Sequence, residues 1–420
     1  MWEKTKLIFK DADLRRKFLF LFAFLAVFRM ASAIPVPGID AFKLKEFFAS
    51  SQLFGLLNIF SGGGLENLSI VMLGVGPYIT ASIIMQLFTM IFPRLKEMYQ
   101  EEGEAGRQKF NQYSRLITPP LALIQGFGLL SILERQGIFQ FTAFERIASL
   151  IIVTAGSIFL MWIGELISEY SIGNGVSIMI FAGIVARFPS DLRQTLLAYD
   201  PSQLSTLIAF FIIALITVAA VVVISEGERP IPVYYAKRVR GMRMYGGTTT
   251  YLPLRVNQAG VIPIIFALSI LLLPQMVANF FASSGNIILR TVSSWVINFL
   301  GSNWYYAGAY FVLVFVFTYF YTAVTFDPEA ISTNLQKSGA FVPGIRPGRN
   351  TSEFLYKIVS RITFVGALFL GIIAVLPLIL RALSGISTLA VGGTALLIVV
   401  SVVLETAKQI EGQLSLRAYE

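Results

Sequence analysis

Runs of about 20 apolar residues recur from one end of the chain to the other, and that is the length a helix needs to cross the hydrocarbon core of a bilayer. Ten such runs stand out in the 420 residues: 17–35, 75–92, 116–133, 147–167, 175–187, 204–224, 261–281, 307–325, 358–380 and 389–404. Backbone N–H and C=O groups find no water in lipid, so segments of this kind must satisfy them internally as helices. Composition agrees. Charged residues make up 14% of the chain, against about a quarter in a soluble domain, and the mean hydropathy is +0.72. The short alternating strands of a membrane barrel are not the pattern seen. The expected fold is an all-α polytopic membrane protein. The fifth run is short, which suggests a helix shielded by its neighbours or lining a cavity.

Basic residues sort the connections into two sets. With the N-terminus in the cytoplasm, 24 of the 33 Lys and Arg fall on that side, 8 fall on the other, and Arg29 lies inside the first run. The excess of positive charge puts both termini in the cytoplasm. A polar connection over 187–203 divides the chain into halves, 1–190 and 191–420, with five runs each. An odd number per half makes the halves inverted relative to one another, and inverted repeats commonly form a path at their interface. The second half carries two large cytoplasmic loops, at about 226–258 and 326–357. Basic residues, an apolar run and Ala31-Ser32-Ala33 together have the outline of a cleavable signal. Arg29 interrupts the apolar region and Pro35 and Pro37 follow it, so the first run is expected to be a retained helix.

Neither cysteine nor histidine occurs. That excludes disulfides, thiolate and zinc sites, cysteine nucleophiles and histidine-based triads. An ion-coupled transporter or an intramembrane enzyme places ionisable groups near the midplane. Here Arg29 lies near one end of its run, and Glu165, one turn before Glu169, lies at the cytoplasmic end of the fourth; both read as interfacial charges that reach toward water. No catalytic residue, metal or cofactor site is expected. The competing reading is a secondary transporter with inverted repeats and a broken helix. It requires two discontinuous helices with polar ligands, and the sequence offers one. An intramembrane hydrolase would need a nucleophile with an activating partner, and no such pair is evident.

The one discontinuity follows a glycine cluster. Gly62, Gly63 and Gly64 precede Leu65, Glu66, Asn67, Leu68 and Ser69, and Gly74, Gly76 and Pro77 interrupt the chain before the second run resumes. A phosphate loop is excluded, because no Gly-Lys-Ser/Thr follows. The segment 62–73 is too short to span, and it reads as a short helix folded back into a cavity, where such breaks are tolerated. Val75 and Ile79 are four apart on one helix face, as are Val176 and Ile180 on another. Ordinary packing and a hydrophobic constriction that excludes water are both open on spacing alone.

A set of ordered motifs resembles the SecY family of bacterial protein-conducting channels along nearly the whole chain. They are Ile34-Pro-Val-Pro-Gly-Ile39, Phe60-Ser-Gly-Gly63, Pro77-Tyr-Ile-Thr-Ala-Ser-Ile-Ile84, Ile172-Gly-Asn-Gly175, Tyr235-Ala-Lys-Arg238, Leu252-Pro-Leu254, Gly260-Val-Ile-Pro263, the twelve residues from Lys337 to Gly348, and Gly392-Gly-Thr394. The resemblance implies a pore that passes unfolded preproteins and opens sideways to lipid between the second and seventh spans. It implies a plug at about 62–73 and a waist ring of Val75, Ile79, Val176, Ile180, Ile265 and Ile398. It implies no enzyme activity and no cofactor. The partners it implies are SecE and SecG, the motor ATPase SecA, the ribosome, signal sequences and membrane lipid. Lys237, Arg238, Arg240, Arg243 and Arg346 would form the cytoplasmic docking surface. A basic loop attracts ribosomal RNA through its phosphates, but it also suits anionic lipid.

Overall fold

The computed structural model describes residues 11–36, 61, 63–65, 68–135, 142–170, 173–197, 204–235, 238–240, 243–245, 249–282, 285–384 and 392–417. Thirteen helices occur among them. The first six are α1 (Ala12–Ala33), α2 (Gly76–Ile91), α3 (Pro93–Gln100), α4 (Gly103–Arg135), α5 (Ala143–Tyr170) and α6 (Gly175–Leu197). Then come α7 (Leu204–Glu226), α8 (Ile262–Phe281), α9 (Ile287–Gly301), α10 (Asn303–Thr325), α11 (Pro328–Lys337), α12 (Arg349–Ser384) and α13 (Gly392–Arg417). Each of the ten apolar runs overlaps one of these helices.

Local chemistry sets several of the ends. The Asp11 side chain accepts from Asp13 N at 2.9 Å and Leu14 N at 3.5 Å and so caps α1. A reciprocal box caps α5: Thr142 N donates to Glu145 Oε2 at 2.9 Å and Glu145 N to Thr142 Oγ1 at 3.4 Å, which satisfies two of the N–H groups a helix start leaves open. Pro93 disfavours helical backbone at Phe92 before it. Phe92 is extended there, and α2 and α3 are bent apart by 113°.

Among the described residues, four helical stretches are long and apolar enough to span unaided, Gly103–Glu134, Ala143–Tyr170, Asn303–Lys337 and Arg349–Leu380, and the bent α2–α3 pair makes a fifth if it is one span. Gly175–Ser190, Phe211–Glu226 and Ile262–Ala278 are shorter apolar helices. The fifth run was expected to end near Arg187, but α6 continues through a polar turn to Leu197.

By internal contact the chain forms two compact units, one of Met1–Phe210, Leu268–Tyr306 and Pro377–Glu420, the other of Phe211–Ala267 and Ala307–Leu376. Compactness thus divides the chain elsewhere than the topological halves do. In the first unit α2 packs on α4, α4 on α5, α1 on α5, and α6 on both α5 and α13.

In the second unit the described parts of the two large loops include strands. Strands β1 (Glu228–Tyr235), β4 (Thr249–Arg255) and β5 (Ala340–Phe341) form a sheet in the order β4-β1-β5, and β2 (Arg238–Arg240) pairs with β3 (Arg243–Tyr245). The β1–β4 register runs antiparallel from Glu228↔Arg255 to Tyr234↔Thr249. Ile231, Val233, Leu254, Ala340, Val342 and Leu355 bury a shared apolar core beneath it. Prolines 230 and 232 lack the N–H that a central strand needs; accordingly β5 pairs only with Tyr234 and Tyr235, beyond them.

Candidate functional site

The segment after the glycine cluster departs from expectation. Instead of a short helix, its described residues form consecutive turns. Gly63 and Gly74 have φ of 85° and 60°, and Leu68 has φ of 40°, a left-handed backbone that a helix does not contain. The chain after α1 takes the hydrogen bonds a helix would have kept. Val36 N donates to Leu68 O at 2.8 Å and Ile70 N to Ile34 O at 2.9 Å, around a Pro35↔Ser69 bridge. Within the segment Ser69 N donates to Gly64 O at 2.8 Å and Leu65 N to Ser61 Oγ at 2.9 Å. Gly62, Glu66 and Asn67 lie outside the described residues.

Apolar packing seats the segment. Leu65, Leu68, Met72 and Leu73 are buried in one cluster with Val36, Ala122 and Leu129 to Leu133, excepting Ser131, and Val153. On the α5 side, a Cβ on Gly156 would overlap the Ile70 carbonyl, and Ser157 Oγ donates to Gly74 O at 3.0 Å. Glycine followed by serine therefore lets α5 lie directly against this backbone. A Cβ on Gly63 would meet Arg29 Nη1 at 3.5 Å and Arg187 side-chain carbons at 3.8 Å. Two arginines that read as separate charges in the sequence thus reach the same turn.

A cleft runs beside the seat. Thr80 of α2, Gln125 of α4, Leu65 of the turn segment, and Ser269, Leu272 and Met276 of α8 line it. Gln125 Nε2 donates to Thr80 Oγ1 at 3.3 Å, and Thr80 Oγ1 donates to Gly76 O at 3.0 Å. The second and seventh spans thus share a largely apolar wall with one hydrogen-bonded polar step. Sequence reasoning missed Thr80 and Gln125, because 45 residues separate them.

Of the six ring positions, Val75, Ile79, Ile180, Ile265 and Ile398 are buried and Val176 is half-buried. Val75 and Ile79 are brought together on one turn, Ile79 N donating to Val75 O at 3.0 Å. Val176 and Ile180 are on α6 and Ile398 is on α13, helices that pack on each other. Ile265 is in the first turn of α8, in the second unit. Position 175 explains the glycines before α6: a Cβ there would overlap the Gly164 carbonyl of α5. Glu165, read as a lone interfacial charge, pairs with Arg115 of α4.

The docking residues lie on two structures. Arg238, Arg240 and Arg243 are in the paired strands β2 and β3, where Arg240 and Arg243 are register partners; Lys237 lies outside the described residues. Arg346 is exposed in the turn after β5. That turn is tied down at several points: Ile345 N to Val342 O at 3.1 Å, Thr351 Oγ1 to Arg346 O at 3.0 Å, and Ser332 Oγ to Gly348 O at 2.6 Å. Gly344 and Gly348, with φ of 77° and 95°, supply the left-handed backbone that it needs.

The family model described as SecY matches residues 69–407. A protein translocase subunit SecY from Streptomyces galbus is 45% identical, with 98% of this chain and 97% of that one covered. The protein of the same name from Corynebacterium glutamicum is 43% identical, with 98% of each covered. Among solved structures, one described as the structure of a protein conducting channel matches with a TM-score of 0.64 at 18% identity, covering 94% of this chain and 91% of that one. Sec61 in a canine ribosome–channel complex matches with a TM-score of 0.60 at 18% identity, covering the same shares. At such identity these two show the fold, whereas the family model and the translocase relatives fix the lineage: the chain belongs to the SecY family.

Proposed function

We propose that this chain is the central pore-forming subunit of a protein-conducting channel in the bacterial cytoplasmic membrane. It passes unfolded preproteins across and releases apolar helices sideways into lipid. The observation that carries the reading is the turn segment at 61–74, seated in an apolar cluster next to a cleft between α2 and α8. As a plug it suits a seal that must leave and return. It is held by side-chain burial and a few backbone hydrogen bonds.

Ten spans in two inverted halves, with both termini cytoplasmic, remain our topology. Val75, Ile79, Val176, Ile180, Ile265 and Ile398 form the waist. A translocating chain presents every kind of side chain in turn, so fixed polar ligands would hinder it. Branched apolar groups make a dry collar that yields to any residue and limits ion leak. SecE and SecG accompany the chain. SecA and the ribosome dock on the β2–β3 pair and the Arg346 turn, signal sequences enter through the α2–α8 cleft, and lipid lies beyond it. No residue is assigned a catalytic role, so the driving energy comes from the partner. Among the described residues the transporter reading has no second discontinuous helix to support it.

The test is translocation. The chain, co-expressed with its small membrane partners and reconstituted into vesicles, should render a preprotein protease-resistant only when the motor ATPase and ATP are added. Protection without the motor, or none with it, would overturn the reading.

A further inference from the structure

The connection between α8 and α10 holds a feature that conduction does not use. Helix α9, Ile287–Gly301, is capped by Asn286, whose side chain accepts from Ile288 N at 3.0 Å. Its fifteen residues rise about 22 Å, too little to span a bilayer. At 100° per residue, Ile288, Val292, Trp295 and Phe299 fall on one narrow face, Arg290 and Ser294 fall on the opposite side, and Asn298 lies about 90° from the centre of that face. The apolar face is not folded into the protein: Ile288 is 68% exposed, Val292 56% and Trp295 66%, and within α9 only Ser293 is buried.

We propose that α9 lies in the plane of the membrane, its apolar face sunk into the headgroup–acyl boundary of the outer leaflet. Continuity of the chain argues for that occupant. Ser302 alone separates α9 from α10, so the helix cannot leave the bilayer surface on which α10 begins. Both basic cytoplasmic loops lie beyond the far ends of α8 and α10, which puts α9 on the opposite side. Aromatic rings stack across the joint, Trp295 on Phe299 at 5.5 Å and Phe299 on Tyr305 at 5.2 Å, and Trp304 and Tyr305 are 66% and 61% exposed. Amphipathic rings of this kind collect at the headgroup level. Residues 282–306 hold one basic residue, Arg290, and no acidic one, so little charge opposes seating the helix at the interface. The inference needs the chain to cross a bilayer but not to conduct protein, so its failure and that of the channel reading are distinguishable.

The chain contains no cysteine, so single cysteines at positions 292, 299, 290 and 294 can each carry a nitroxide. The labelled chains, purified with their membrane partners, go into vesicles of phosphatidylethanolamine and phosphatidylglycerol. Collision with oxygen relative to a water-soluble nickel chelate should be several-fold higher at 292 and 299 than at 290 and 294. Equal ratios at all four would mean water on every side and overturn the proposal. Exclusion of both reagents at 292 and 299 would mean protein cover, by a second copy or another subunit, and overturn it equally. An unlabelled control guards against disturbed variants: lipids brominated near the headgroup should quench parent fluorescence more than that of Trp295→Phe. Equal quenching would count against the proposal.

Discussion

A methyl group at residue 175 has nowhere to go. The backbone carbonyl of Gly164 occupies its place, and neither helix can yield without moving Met179 and Val176, which pack over Gly164. Gly175→Ala should therefore cost about 1–3 kcal/mol, as overpacking does, and lower the thermal midpoint in detergent by several degrees. Gly308, inside α10, has no neighbour within 4 Å of an added Cβ; Gly308→Ala should be neutral or raise the midpoint, since alanine gains up to about 1 kcal/mol in a helix interior. Equal losses at the two positions would remove close approach as the explanation. The motif Gly173-Asn174-Gly175 was legible in the sequence as a signature, but its reason was not, because that reason is a carbonyl on another helix. Arg115 and Glu165 teach the same thing: fifty positions apart, they look like two edge charges until the fold pairs them.

At the scale of elements, the sequence located the break before the second span and mistook its form. Leucines at 65, 68 and 73 with glycines outside them suit a short helix by propensity and spacing. Pairing with Ile34 to Val36 overrides that preference and drives Leu68 to φ 40°, as tertiary contacts commonly override local ones. The strands of the large loops were missed for the opposite reason, since Pro230 and Pro232 obscure an alternating pattern. The helices themselves were plain, because apolar length is a signal that needs no partner. If the turn segment is the plug, weakening its seat should open the channel at rest. Leu68 is fully buried. Leu68→Ala removes its contacts at a cost of about 2–5 kcal/mol. Resting ion conductance in planar bilayers should rise at least tenfold, with the chain still folded. A cavity that lowers stability and leaves conductance at the parent level would make the segment core and not seal.

For the whole molecule, the question is how a membrane chain would present charge to a large partner. The β4-β1-β5 sheet with its apolar base gives the two basic loops a common foundation: β1 and β4 flank the β2–β3 pair that holds Arg240 and Arg243, and β5 leads into the Arg346 turn. Placing two like charges as direct cross-strand partners disfavours the pairing on its own, and an anionic partner would reverse that cost. Anionic lipid could also do so, and it would respond to charge alone, at about 1 kcal/mol per basic residue. Docking on a structured partner depends instead on the planar, forked guanidinium, which lysine does not reproduce. The tied turn around Arg346 reduces the ordering cost of such docking. Arg346→Lys and Arg243→Lys should therefore reduce motor-driven translocation into vesicles about tenfold or more, with membrane insertion of the chain itself unchanged. Arg346→Glu should be worse than either. Partner affinity measured across a salt series separates the causes. A guanidinium contact makes the lysine variants weaker at every salt concentration, whereas a charge-generic attraction leaves them equal to the parent throughout. The second pattern, with normal translocation, would return these arginines to the positive-inside rule and leave the docking surface to be sought elsewhere on the same sheet.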